Sequence, residues 1–413
     1  MQPASPPSKP PRPRPMRPPW TWLAIIGPGV LGLAADNDAG GMLSYLLTGA
    51  AHHLIYFWLE LAVMAPITYL VQELALRVAL ATRQPYGRLL AIRFGSRWAA
   101  VNGAILLGLN LCNLVTEFVG MAAALNWFGL PWTAAVCASL ALVAAVTTLY
   151  RRYGSLERLL LVLAGLNLAW VAALCLSPLT VSRVTDALIG GSSANLGFLG
   201  LALAGNAIAP WMIYWQQNAV WAGKIESLAQ GRTDIRIGVF AQVAMAALVM
   251  LIGGVASTPA DWSHPLAWLA KEANPWVARA FALGLFDAGF MAACTMTLAA
   301  AWMLRETVAP ANLAPDRRRE TPTQGQAGPI HWATLVGAAA ITLWPGINPG
   351  AVALWAQAFS ALWMPASLIF LGLIAQDSRL MGAMRMRDRR RLGLAAATLL
   401  FLTLAVWTLR SSL

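Results

Sequence analysis

Long apolar runs recur along almost the whole of this 413-residue chain, and they limit its fold more than any other feature. A helix needs about 20 apolar residues to cross the hydrocarbon core of a bilayer, and most of these runs are that long. Lipid offers the backbone no hydrogen-bond partner, so spanning segments are helices or the strands of a closed barrel. Barrel strands alternate polar and apolar over about 10 residues. These runs do not alternate. They predict an all-α integral membrane protein. The balance of residues agrees: 11% are charged and 58% hydrophobic, against about 25% charged in a soluble domain.

Eleven spans can be drawn, roughly 22–49, 54–81, 98–127, 131–149, 156–177, 194–222, 234–256, 276–305, 331–345, 349–375 and 391–410. The ninth is the shortest. A net charge of +12 would suit nucleic acid, but the basic residues lie in the connectors, where topology explains them. Cytoplasmic loops are enriched in Lys and Arg. With the N-terminus inside, all but Arg183, Lys271, Arg279 and Arg410 of the 29 Lys and Arg fall on the inner side. This predicts a multi-pass protein of the plasma membrane with a cytoplasmic N-terminus and an extracytoplasmic C-terminus. Residues 1–19, rich in Pro and basic, read as a disordered cytoplasmic tail. The partners expected are the lipid bilayer and a small ligand, with no nucleic acid and no protein partner implied. Cys112, Cys137, Cys175 and Cys294 form no C-x-x-C pair and read as small buried hydrophobes.

Two spans are interrupted alike. The first reads GPGVLGLAADNDAGGMLSY and the sixth LGLALAGNAIAPWMIYWQQ. Each runs apolar, breaks at small residues or Pro, and resumes, and each begins a group of five spans. Discontinuous helices at matching positions of two halves are the strongest sequence pointer to a transporter site. The expected halves are 20–178 and 192–376, followed by a last span at 390–413.

Asp36 and Asp38 flank Asn37 near the middle of the first span. A carboxylate in hydrocarbon is costly, and intramembrane acids mark ion pathways by default; structural carboxylates bonded to neighbouring helices are the plainer alternative. Unwound backbone at Ala39, Gly40 and Gly41 is expected to expose carbonyls that face a cation together with the carboxylates. In the sixth span Pro210 lacks a donor and frees the carbonyl four residues back, that of Asn206. Carbonyls near Asn206 and Ala209 would complete an all-oxygen site, unless the proline only kinks a helix. Asn37, Gly41 and Gln357 are weaker candidates for its lining. Glu117 and Asp287, inside the third and eighth spans, suit a proton or polar relay as well as structural pairing. Glu73 lies four residues before Arg77, an ordinary helical ion pair. Gln216 and Gln217 read as bridges between helices, and His52 and His53 as a solvated pair in an outer loop. No nucleophile–base pair or catalytic motif is present, so neither an enzyme nor a cofactor is expected.

The stretch GPGVLGLAADNDAGGMLSYLLTGA resembles the first helix of the Nramp divalent-metal transporters, whose signature there is Asp-Pro-Gly-Asn. AIAPWMIYWQQNAV is similar to their sixth helix, with its Met-Pro-His. QAFSALWMPASLIFLGLIAQDSRLMG resembles their tenth helix and its Asp-x-Arg-Leu-Met-Gly tail. The likeness runs from about 22 to 388 and implies a LeuT-type inverted repeat of 5+5 helices plus an eleventh. Asp38 stands at the signature Asp, but Ala39 replaces the Pro, Gly41 the ligating Asn and Ala209 the ligating Met. Trp211 and Gln216 stand where the family carries histidines. This set of losses is similar to the Nramp-related magnesium transporters.

A thioether favours soft metals, and its loss leaves oxygen donors. Mg²⁺ keeps several waters and is bound through one or two carboxylates. The expected function is therefore uptake of Mg²⁺, and of Mn²⁺ as a second substrate, by alternating access without tight proton coupling. A proton-coupled Mn²⁺/Fe²⁺ importer of ordinary Nramp type is the alternative. A Na⁺-coupled organic-solute symporter of the same fold is a further one.

Overall fold

The computed structural model describes residues 37–149, 163–191, 195–221, 225–256, 260–308 and 328–412, with the single positions 159 and 258. The basic tail and Asp36 lie outside the described residues.

The described residues are helical, with short connections. They begin with α1 (Ala39–Ala50) and α2 (Leu54–Thr82). A short α3 (Tyr86–Phe94) leads into the long α4 (Ser96–Trp127) and then α5 (Trp132–Leu149). Helices α6 (Leu168–Leu176) and α7 (Val181–Ile189) follow, and the chain bends by 111° between them. Next come α8 (Leu196–Ala207), α9 (Trp211–Trp221) and α10 (Leu228–Gly254). The last group is α11 (Pro265–Glu272), α12 (Pro275–Val308), α13 (Gly328–Thr342), α14 (Pro349–Gln376), α15 (Ser378–Met381) and α16 (Asp388–Ser412).

Among the described residues eight helices, with α8 and α9 taken as one span, are long and apolar enough to cross a membrane. The sequence suggests eleven spans, and the difference has local causes. The front half of the first span lies outside the described residues, as does the start of the fifth. Helix α13 has only 15 residues.

Bundle packing places α1 at the centre. Every residue of α1 is buried, with α10, α14, α4, α12 and α8 around it. Lipid tails are as apolar as leucine, so helices in a membrane associate through close packing of small residues rather than by escape from water. Helices α1 and α10 do so reciprocally: Gly49 lies against the Met250 carbonyl and Gly253 against that of Leu46, and a Cβ at either glycine would overlap the facing backbone. The rim faces outward with large apolar side chains, such as Leu59, Phe240, Leu392 and Leu399. Cys294 is buried as expected, but Cys112, Cys137 and Cys175 are exposed on this rim. A thiol is small and apolar enough for a lipid-facing surface.

Candidate functional site

The site forms where two helices stop or start in the middle of the bundle. In the first span α1 starts at Ala39 directly after Asp38, so the expected Ala39–Gly41 form its opening turn rather than unwound backbone. Asp38 is the cause. Its backbone is extended and its carboxylate accepts from the Gly41 amide, so it caps a helix that begins at the next residue. The N–H groups of a helix start need acceptors. The Ala39 amide finds one 2.9 Å away in Glu117 Oε2, brought by α4. The correction matters chemically, because these residues turn N–H groups, not free carbonyls, towards the acids.

The sixth span breaks at Ile208–Pro210, between α8 and α9, as Pro210 predicts. The carbonyls at the end of α8 have taken other donors. Ala207 O accepts from Thr68 Oγ1 at 3.0 Å and from Gln242 Nε2 at 3.2 Å. Asn206 O lies 3.4 Å from the same Gln242 nitrogen, and Ala209 O accepts from the Met212 amide at 3.2 Å. A carbonyl oxygen has two lone pairs, so the Asn206 and Ala209 carbonyls each retain one.

The Asn206 side chain joins the two breaks. Its Nδ2 donates to Gly41 O at 3.1 Å, and a Cβ on residue 41 would overlap its amide. An amide therefore fills the space that Gly41 leaves, but it comes from α8. A single sequence carries no signal for this exchange; Pro210 identifies the residue through its carbonyl only.

Asp38 and Glu117 are fully enclosed, 2% and 0% exposed, and the Glu117 carboxyl reaches the amide of the residue next to Asp38. Two carboxyls this close cannot both stay ionised without a proton or a cation between them. Among the described residues no Lys, Arg or His pairs with either. The Thr116 hydroxyl has one proton for two acceptors, Asn113 O at 2.6 Å and Glu117 Oε1 at 3.0 Å. A proton on Glu117 would complete that set.

The other candidates divide. Gln357 is buried with Nε2 unpartnered, and its carbonyl lies against Gly205 of α8, one residue before Asn206. Asn37 is buried with Oδ1 unpartnered. Gln216 Nε2 and both amide atoms of Gln217 also lack partners among the described residues. Asp287 is buried on α12 with Oδ2 unpartnered, and no hydrogen bond or ion pair joins it to Asp38 or Glu117. His52 and His53 are half-buried rather than solvated, with His52 Nε2 3.1 Å from Ala256 O. Among the described residues no three His, Cys, Asp or Glu gather as a metal cluster. A cation here would meet carboxylate, carbonyl, amide and water oxygens, a donor set for hard ions.

Comparison with known proteins fits this geometry. A family model described as natural resistance-associated macrophage protein-like matches residues 29–411. No curated protein matches the chain. Among solved structures, the manganese transporter of Eremococcus coleocola in complex with an aromatic bis-isothiourea substituted compound is 17% identical, with a TM-score of 0.71 over 94% of this chain and 87% of that one. A nucleobase-cation-symport-1 family transporter with bromovinylhydantoin bound is 11% identical, with a TM-score of 0.54 over 94% and 93% of the two chains. The transporter MhsT in complex with L-phenylalanine is 13% identical, with a TM-score of 0.53 over 95% and 98%. The shared architecture is the all-α LeuT-type fold.

Proposed function

The chain belongs to the Nramp family, and from that premise we propose that it carries divalent metal cations into the cytoplasm by alternating access, with Mg²⁺ the preferred cargo and Mn²⁺ also carried. The observation that bears most weight is the enclosed pair Asp38–Glu117, which has no cationic partner among the described residues. Such a pair, held at the crossing of two helix breaks, is a site whose charge balance is left to a transported ion.

Selectivity follows from the donors. Ala209 brings no thioether and Gly41 no side chain, so the soft contribution is missing and the Asn206 amide stands in the space beside Gly41. The unpartnered amide atoms of Asn37 and Gln357 suit waters kept by an incompletely dehydrated Mg²⁺. We place the N-terminus on the cytoplasmic side of the plasma membrane and take residues 20–178 and 192–376 as the two halves that rearrange. The membrane potential favours entry of a dication by about 4.6 kcal/mol per 100 mV, enough to drive uptake without protons. In proteoliposomes loaded with a metal-sensing dye, Mg²⁺ and Mn²⁺ are expected to compete with each other and Cd²⁺ to compete weakly. Stronger competition by Cd²⁺ than by Mg²⁺ would contradict the hard-donor reading.

The closeness of two enclosed acids, Asp38 and Glu117, with the spare acceptor at Thr116, favours a second reading in which arriving metal releases a proton. Under that reading, metal uptake acidifies the vesicle lumen and Glu117→Gln abolishes the acidification. Under the first, Glu117→Gln lowers Mg²⁺ flux because half of the enclosed pair is lost, and no acidification accompanies the flux in either form.

A further inference from the structure

Glu73 gathers more positive charge than it can balance. It is 1% exposed on α2 and accepts from Arg77 Nε at 2.7 Å. The same oxygen accepts from Arg232 of α10, through Nε at 3.0 Å and Nη2 at 2.7 Å. Arg390 of α16 stands with Nε 3.2 Å from the other oxygen. Arginine stays ionised in a protein, so the groups in direct contact carry three positive charges against one negative. Asp388, two residues before Arg390, is exposed and pairs with Arg391 at 3.3 Å. Topology accounts for arginines in connectors, but not for three of them converging from separate helices on one buried acid.

The cluster opens outward. The Arg232 and Arg390 side chains are 33% and 29% exposed while the acid behind them is dry. One turn further along α10, Arg236 lies over the Tyr69 ring at 5.9 Å. Beyond it the same helix face is bare and apolar, with Ile237 and Phe240 43% and 77% exposed. Guanidinium groups followed by uncovered apolar surface match a phosphate followed by acyl chains. A free phosphate would use only the first part.

We propose that Arg77, Arg232 and Arg390, gathered on Glu73 with Arg236 beside them, hold the phosphate of an anionic phospholipid at the arginine-rich end of the bundle, with an acyl chain lying along Ile237 and Phe240. Basic pockets between helices at the cytoplasmic face are where acidic headgroups bind. The lipid would brace α2, α10 and α16 together and supply the negative charge that Glu73 alone does not.

The test uses the purified full chain in detergent, titrated with phosphatidylglycerol, phosphatidylcholine or inorganic phosphate and read by native mass spectrometry and thermal unfolding. Phosphatidylglycerol is expected to remain bound and raise the unfolding temperature, and the other two are not. Arg236→Gln and Arg390→Gln should each weaken its retention about fivefold, the effect of one arginine near an anionic headgroup. Glu73→Gln should strengthen retention by removing the competing anion, an effect that a purely structural role would not produce. Should that variant fold poorly, Arg236→Gln still decides, because it does not touch Glu73. Equal retention of the two lipids, or indifference to Arg236→Gln and Arg390→Gln, would overturn the site. Inorganic phosphate acting as well as phosphatidylglycerol would overturn the lipid assignment.

Discussion

Glu73 and Asp38 are almost equally dry, at 1% and 2% exposure, yet their surroundings are opposite. Glu73 is met by guanidinium groups from three helices. Asp38 is met by the Gly41 amide and by a second carboxyl, Glu117, with no cation beside it among the described residues. A buried charge needs a partner in either place. At Glu73 the partners are covalently part of the chain, so the acid is always met by cations and the helices are tied. At Asp38 no such partner stands among the described residues, and under the proposed function an ion or proton that can come and go takes that place. Under the proposed function the first acid holds the bundle and the second is filled in turn.

Breaking the tie should be the costlier change for the fold. Glu73→Gln leaves three arginines around a neutral side chain and is expected to destabilise by about 3 kcal/mol, the low end for removing one partner of a buried pair because two of the guanidiniums are partly exposed. Thermal unfolding in detergent reads it. The relative affinities for Mg²⁺ and Mn²⁺ should not move, and a change in that ratio would mean that the two regions are not separate. A smaller effect, confined to transport, is expected at the other region. In Gly41→Ala the new methyl group meets the Asn206 amide, disturbing the bond that joins α1 to α8. Metal flux should fall about tenfold, consistent with the loss of one hydrogen bond of about 1 kcal/mol plus crowding. Flux equal to the wild type would separate that contact from function.

How much of this the residues alone reveal depends on the range of each interaction. Glu73 with Arg77 is legible because i, i+4 neighbours share a helix face; Arg232 and Arg390 lie 159 and 317 residues away and give no local sign. The break in the sixth span is legible because Pro210 cannot donate. In the first span, Ala39-Gly40-Gly41 suggests unwinding, but a capping aspartate outweighs two glycines, and the helix starts immediately after Asp38. Glu117 stands out as an acid inside an apolar span, while its bond to the Ala39 amide depends on how α4 crosses α1. The fold class needed none of these contacts, since run length and the lipid solvent already dictate helices. The site needed all of them.

Mg²⁺ flux into proteoliposomes carrying Asp38→Asn tests the central claim most directly. Asparagine keeps the side-chain oxygen that caps α1 and removes only the charge, so the helix start should survive while the cation loses its balancing anion. Flux at background in a correctly folded variant is the expected result. Undiminished Mg²⁺ and Mn²⁺ flux would show that the buried carboxylate is not what receives the metal.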